Sequence, residues 1–519
     1  AAAPPPADGG GKGAKREPSK VYVDASLRGI DNMRELGDVV GLLIALRDGL
    51  AGSGDLIAQA VGAIEAHVAG ERLRESTRLQ VVGSGGLELV FNVMLRHGTE
   101  ANVQQVACLL LVKLARKAAD VQAKIGELKG IQLLVHSMLQ HKTVEAVQAA
   151  AIEALLNLTP DPQNRCIIGQ FFGIEVTVAA MKTFPESVAV QSHGCAFLAN
   201  VGYENPDNKA SIVKAGGLKA TLRAMKRHRK VTIVHLWGAL ALRNLALDHE
   251  ANKATIGALG GIKALIGAML TFKDDCSVQE QSCAALRNIA VGNEENERQV
   301  SELRGVEVVL RAMRRFRGVR AIHENAVELL RAMALLDDWH ATQVMSAGGI
   351  EAVLSSMIEY RAVFALQAAA IDLVFEVAHT GETAKERITA AGGVETISST
   401  LKAHILQKDF VEKGVAALQS SLKVSMTCAL VRPASGRLCA RPTLRLTVTG
   451  ARRGASALLA PYLSLPLPPR TLTSRRHPGG HIPLRSSTPP APPSTQRLLS
   501  AARRHVAPAA SAIAVRGRT

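Results

Sequence analysis

Apolar positions recur along this chain at helical spacing, and the spacing itself repeats. In GIKALIGAM (261–269), Ile262, Leu265, Ile266 and Met269 fall on one helical face. The same Gly-led pattern stands at GLELVFNVM (86–94), GIQLLVHSM (130–138), GIEVTVAAM (173–181) and GLKATLRAM (217–225). It returns at GVEVVLRAM (305–313), GIEAVLSSM (349–357) and GVETISSTL (393–401). From Gly to Gly the steps are 44, 43, 44, 44, 44, 44 and 44 residues. Chance does not hold register over such a span, so the chain is a repeat array. Seven repeats are complete and the eighth fades near Lys423.

Each repeat predicts three helices. A polar turn such as TFKDDCS (271–277) follows the Gly-led helix, and a longer helix such as VQEQSCAALRNIA (278–290) comes next. A short helix such as NKATIGAL (252–259) leads into Gly-Gly, which suits a left-handed cap and a sharp corner. One unit cannot cover its own apolar faces, whereas stacked units bury a continuous core. The expected fold is all-α, an α-solenoid of about eight 44-residue repeats over 86–423. Segments LGDVVGLLIALRDG (36–49) and DLIAQAVGAIEAHVAG (55–70) make residues 21–85 a divergent first repeat or cap.

Composition adjusts this picture at the ends. Residues 1–20, opening AAAPPPADGGGKGAK, read as a disordered linker. The first residue is Ala, so the chain reads as an incomplete or processed product. The formal charge of +17 lies almost wholly in residues 424–519, which carry 15 Arg and no Lys, Asp or Glu, leaving +2 for residues 1–423. That segment also holds 13 of the 21 prolines. It reads as a disordered basic arm for acidic membranes or nucleic acid, or as translated GC-rich non-coding sequence; its composition favours the second. Aromatic content of 3% suits stacked helices. Seven Cys without a CxxC pair suggest neither a disulfide framework nor a zinc knuckle. No apolar run of about 18 residues predicts a membrane span.

Aligned repeats let each position be judged eight times. Cys108, Cys195 and Cys283, 22 residues after the Gly, alternate with Ile152, Ala239, Val327, Ile371 and Val415, so the slot is core. His97, His141, His228 and His404, 11 after the Gly, share their column with Phe184, Phe272, Phe316 and Tyr360. Rings a whole layer apart cannot converge on one metal, so they pack at corners. Gln104, Gln148, Gln191, Gln279 and Gln367 open the long helix, with His235 and His323 replacing them in two repeats. That recurrence predicts a structural hydrogen bond to the preceding turn.

The exposed stripe of the long helix is the candidate partner-binding surface. Four successive repeats place Asn157, Asn200, Asn244 and Asn288 at one position. An amide can pair with both N–H and C=O of an extended peptide, or tie its own helix to a neighbouring turn. Beside this ladder the stripe is apolar at Trp237 and Leu240 and acidic at Glu328, Asp372 and Glu376. Arg243, Arg287 and Arg331 stand one residue before the ladder position. The clusters KRHRK (226–230) and RRFRGVR (314–320) fall in turns, without the aromatic interleaving that nucleic-acid binding uses.

The repeat resembles the armadillo repeat. The Gly-led second helix, the VQ-x-x-A-x-x-A-L-x-N-L-A third helix, and the short helix of NKASIVKAGG (208–217) and NKATIGALGG (252–261) carry the resemblance over roughly 86–423. It implies a right-handed superhelix whose third helices line a concave groove. It also implies that Asn157, Asn200, Asn244 and Asn288 bind the backbone of an extended peptide there. Importin-alpha-like members carry Trp four residues before that Asn; here those positions hold Glu153, Ala196, Leu240 and Ala284.

The function expected is a non-catalytic scaffold, monomeric and cytoplasmic with the nucleus as a second compartment, that binds a partner protein's extended segment. Alternatives are importin-alpha-like recognition of basic nuclear-localisation peptides and an interaction module of a larger kinase-like protein. No G-x-S-x-G, P-loop, HExxH or G-x-G-x-x-G motif stands in the repeats, so no catalytic residue, metal or cofactor is assigned.

Overall fold

The computed structural model describes residues 42, 43, 46, 54–69, 74–404, 412–418, 425–431 and 443–449. The expected linker, most of the expected cap before Gly54 and most of the tail lie outside them. Contacts divide the chain into two compact units, Ala1–Ile167 and Ile168–Thr519.

In the first unit the long helices Gly54–Ala69, Ala101–Ala115 and Glu145–Leu158 pack in chain order. Helix Gly54–Ala69 takes a long helix's place one step before the first Gly-led helix, Gly86–Arg96. Asn102 Nδ2 donates to its Asp55 Oδ1 at 2.8 Å, and Lys113 Nζ lies 3.3 Å from Glu65 Oε1.

In the second unit the long helices Val188–Val201, Thr232–Ala246, Cys276–Ala290, Arg320–Ala334 and Phe364–His379 stack in the same manner. Gly-led helices Gly173–Thr183, Gly217–Arg227, Gly261–Thr271, Gly305–Arg315, Gly349–Glu359 and Gly393–Ala403 form the second layer. Beyond them, residues 412–418 are helical. Within the segment expected to lack structure, strands Ser425–Val431 and Thr443–Thr449 pair antiparallel, with Cys428 opposite Leu446. Among the described residues the fold is an all-α solenoid apart from this ribbon.

The Gly-Gly corner divides its work between two residues. The residue before each Gly-led helix is left-handed, as with Gly216 at φ 86° and Gly260 at φ 80°. The repeating Gly itself lacks room for a side chain. A Cβ on Gly261 would stand 2.3 Å from Ile256 Cγ2, and one on Gly217 would stand 2.6 Å from Ile212 Cγ2. The Ile of the short helix therefore packs on bare backbone, which lets Glu250–Ala258 meet Gly261–Thr271 at 68°. At three corners the left-handed residue is Lys129, Phe172 or Arg304, a conformation costing about 1–2 kcal/mol for a side-chain-bearing residue.

The Gln column makes the expected bond, twice over. Gln279 Nε2 donates to Met269 O at 2.7 Å and Phe272 O at 3.0 Å, and Gln104, Gln148, Gln191 and Gln367 repeat the pair. These carbonyls end the Gly-led helix, where intrahelical partners run out. The ring column packs at corners as expected, and its polar rings also reach across one repeat. His141 and His228 donate through Nε2 to Gly98 O and Pro185 O, each at 2.8 Å. His404 donates to Arg361 O at 2.9 Å, and the Tyr360 hydroxyl donates to Arg317 O.

Cys108, Cys195 and Cys283 are core, and burial lifts each thiol to about 12. None is a thiolate nucleophile near neutral pH.

Candidate functional site

The face of the second unit's long helices holds most of the candidate residues. Neighbouring long helices lie close enough to hydrogen-bond directly. Asn244 Nδ2 donates to Ala199 O at 2.9 Å, and Asn288 Nδ2 donates to Arg243 O at 3.1 Å. Each amide thus reaches the preceding repeat one residue before its own ladder position. Ala199 sits in the last turn of its helix, where carbonyls lack intrahelical donors, so Asn244 fills that vacancy. Both amides are buried, at 7% and 8% exposure. Asn200 is half-buried. In the first unit, Asn157 turns inward on its own helix, with Nδ2 donating to Glu153 O at 2.7 Å. Of the two roles open to the ladder, the inter-helix tie is thus occupied at Asn244 and Asn288.

The apolar part of the stripe is not open surface. Trp237 and Leu240 are only 3% and 5% exposed. The long helices' close approach covers the side chains between them, which correct the expected exposed apolar stretch.

The polar groups at half exposure are better placed to meet a partner. Arg243 Nη1 donates to Gln281 Oε1 at 2.9 Å. Burial lowers the Arg243 pKa and raises that of Glu280, with the attraction between the two opposing both shifts. Arg287 Nη1 donates to Asn288 Oδ1 at 3.1 Å, leaving one amide hydrogen of Asn288 outside these two bonds. Gln281 escaped the sequence reading because only this repeat places Gln at its position, and Glu280, although Glu324 and Glu412 share its column, stands beside a Gln only here. A comparison of columns finds what recurs, and this pair does not.

The acidic end of the stripe is compensated from within. Glu328 Oε1 meets Arg331 Nη2 at 2.7 Å, while Asp372 Oδ1 lies 3.3 Å from Lys413 Nζ. Arg331 Nη1 stands 3.9 Å from Asp372 Oδ2, and its pKa is raised chiefly by the Glu328 hydrogen bond. Glu376 is half-buried on the same helix as Asp372.

A second set of Asn residues, in the short helices, was missed as a structural column. Asn208, Asn252 and Asn296 donate through Nδ2 to Val201 O, Leu245 O and Ile289 O, each seven residues back. Their spacing in N-x-x-x-I was the available signal.

Residues 249–291 match the Armadillo/beta-catenin-like repeat family. The repeats are armadillo-like. Among solved structures, an engineered protein determined by a structural genomics consortium shares the fold with a TM-score of 0.61 at 23% identity. The match covers 76% of this chain and 91% of that one. Two further engineered proteins match 48% of this chain with a TM-score of 0.41, at 22% and 21% identity and over 96% and 98% of their own lengths. At that score they add nothing to the assignment. No curated protein sequence matches the chain. Among the described residues, no single helix of this armadillo-like solenoid is long and apolar enough to cross a membrane.

Proposed function

We propose that this armadillo-like solenoid is a non-catalytic scaffold that takes an extended segment of a partner protein along its long-helix face. One observation supports the reading above others. Arg243, Glu280 and Arg287 form a half-exposed polar row across two neighbouring long helices, with Arg243 and Glu280 attracting one another and the Asn288 tie joining the two helices. A row at half exposure offers donors and acceptors to a peptide backbone without first unfolding anything. The internal pairing of Glu328 with Arg331 and of Asp372 with Lys413 weighs against the alternative of basic-peptide recognition. Those carboxylates would have to exchange an existing cation for an incoming one.

Photo-crosslinking residues introduced at Arg287 and Glu376, and separately at Lys263 on a Gly-led helix, test the face. In a cell extract, partner crosslinks from the first pair and not from Lys263 support the reading. Equal yields from both faces refute it.

A further inference from the structure

The geometry points to a second interaction surface, on the outer corners of the second unit, that takes an extended acidic protein segment in two matched cationic clefts. The first cleft, about 340 Å³, has Met181 and Gln191 in its lining and is rimmed by Lys182, Arg223, Lys226, Arg227 and Arg229. The second, about 140 Å³, has Met269 and Gln279 in its lining and is rimmed by Lys273, Arg311 and Arg315. The two are the same place in the repeat, two repeats apart. Met181 corresponds to Met269, Gln191 to Gln279, Arg223 to Arg311 and Arg227 to Arg315.

Each cleft is built on fixed parts. The Gln in the lining is pinned to two carbonyls in both repeats. The turn carrying Arg229 is held by His228 Nε2 on Pro185 O, and Arg229 Nε donates to Lys226 O at 3.2 Å. One wall of each cleft carries a single carboxylate on its Arg. Arg227 pairs with Glu186, and Arg315 Nη2 lies 2.6 Å from Asp274 Oδ1. Every partner in these pairs is more than half exposed, so an incoming anion displaces the carboxylate at little cost. The remaining cations of the first cleft outnumber its one acid, and guanidinium groups suit phosphate and carboxylate oxygens.

The chemistry of the lining selects the partner class. Met, Ala, Pro, Val and Gln join the cations, and no aromatic ring lines either cleft on which a base would stack. Two bounded clefts fit discrete anionic groups better than a continuous lipid surface. Layers about 10 Å apart put the clefts about 20 Å from each other. An extended chain covers that in about six residues. The segment therefore presents two anionic groups at a spacing of about six, supplied by phosphoserine or by clustered Asp and Glu.

The test uses the full chain and labelled twelve-residue Gly/Ser peptides carrying two phosphoserines, or two Glu-Glu pairs, six or two residues apart. Fluorescence polarisation at physiological salt reads binding. Arg223→Gln/Arg229→Gln is compared with Lys142→Gln/Arg361→Gln, which removes the same charge from exposed turns elsewhere. That control absorbs any attraction from the Arg-rich C-terminal segment. The expected result is a preference for spacing six and a loss of at least about tenfold in the cleft variant alone. Glu-pair peptides binding as well as phosphopeptides identify the carboxylate source, and phosphopeptides binding alone identify the phosphate source. Equal loss in both variants, no binding, or tighter cleft-dependent binding of oligo-dT or phosphatidylserine vesicles overturns the proposal. Circular dichroism confirms that these exposed substitutions leave the helices intact.

Discussion

Replacing His235 with Gln tests whether the Gln column is a structural device. His235 occupies the column, is 6% exposed, and completes a full hydrogen bond through neither ring nitrogen. His323, in the same slot two repeats on, does better because Nδ1 meets Ser356 Oγ at 2.7 Å. The residue matching Ser356 beside His235 is Ala268, which offers no hydroxyl. In His235→Gln the amide would donate to Met225 O and His228 O, as the five Gln siblings do to their own carbonyls. Two bonds contribute about 1–3 kcal/mol. The lost contact with Phe272, whose ring centroid lies 5.0 Å away, costs about 0.5–1.5 kcal/mol. The net gain at pH 7.5 is about 1 kcal/mol.

Acid enlarges the difference. Burial pushes His235 down to about 4, against an upward pull from the His228 backbone. The unfolded chain binds a proton near pH 6.5 that the folded chain refuses until about 4, so wild-type stability falls as pH drops through that window. The loss by pH 4.5 is on the order of 2–3 kcal/mol. The Gln variant lacks it. Urea unfolding followed by fluorescence of Trp237, buried on the same helix while Trp339 is 60% exposed, reports the local transition. Equal slopes of stability against pH in the two proteins, or a less stable variant at pH 7.5, would refute the reasoning.

Four further outcomes follow from the ties, the corners and the buried cysteines. Asn244→Ala leaves the Ala199 carbonyl short of a donor in a buried place and should cost about 1–3 kcal/mol, read by urea midpoint. Asn157→Ala, which removes only a bond within one helix, should cost less than Asn244→Ala in the same assay. Gly261→Ala forces a methyl group against Ile256 and should cost about 1–3 kcal/mol; adding Ile256→Ala should cost less than the two single changes summed, in a double-mutant cycle. With iodoacetamide and peptide mapping, exposed Cys166 should label in the native protein, while Cys108, Cys195 and Cys283 label only on unfolding.

The sequence made the solenoid readable because the same physical problem is solved eight times. A core slot accepts Cys, Ile or Val, so alternation at Cys283 reports burial directly. Other columns were readable in role but not in reason. The repeating Gly looked like part of a left-handed cap, yet the residue before it takes that conformation while the Gly gives way to Ile. The Asn ladder could not be decided from spacing, since one position facing a neighbouring helix serves a tie or a partner equally. What the structure adds is that Asn244 and Asn288 reach carbonyls of the preceding long helix. Trp237 misled for the same reason: helical periodicity fixes the face a residue is on, not how closely the next helix covers it. The basic clefts were visible only as runs such as KRHRK, because Lys182 joins from the preceding Gly-led helix and Arg223 from one helical turn earlier.

The corners also bear on how the array responds to pulling. Most of the ties span one repeat, so tension along the chain is passed from each layer to the next rather than shared. Such a stack yields at its weakest joint first. Lys129, Phe172 and Arg304 hold a left-handed backbone that glycine adopts freely elsewhere in the array. Stretching from the two ends should therefore give stepwise extension, with the early steps at those joints. Placing Gly at all three would raise and even out the forces, turning a graded spring into a more uniform one.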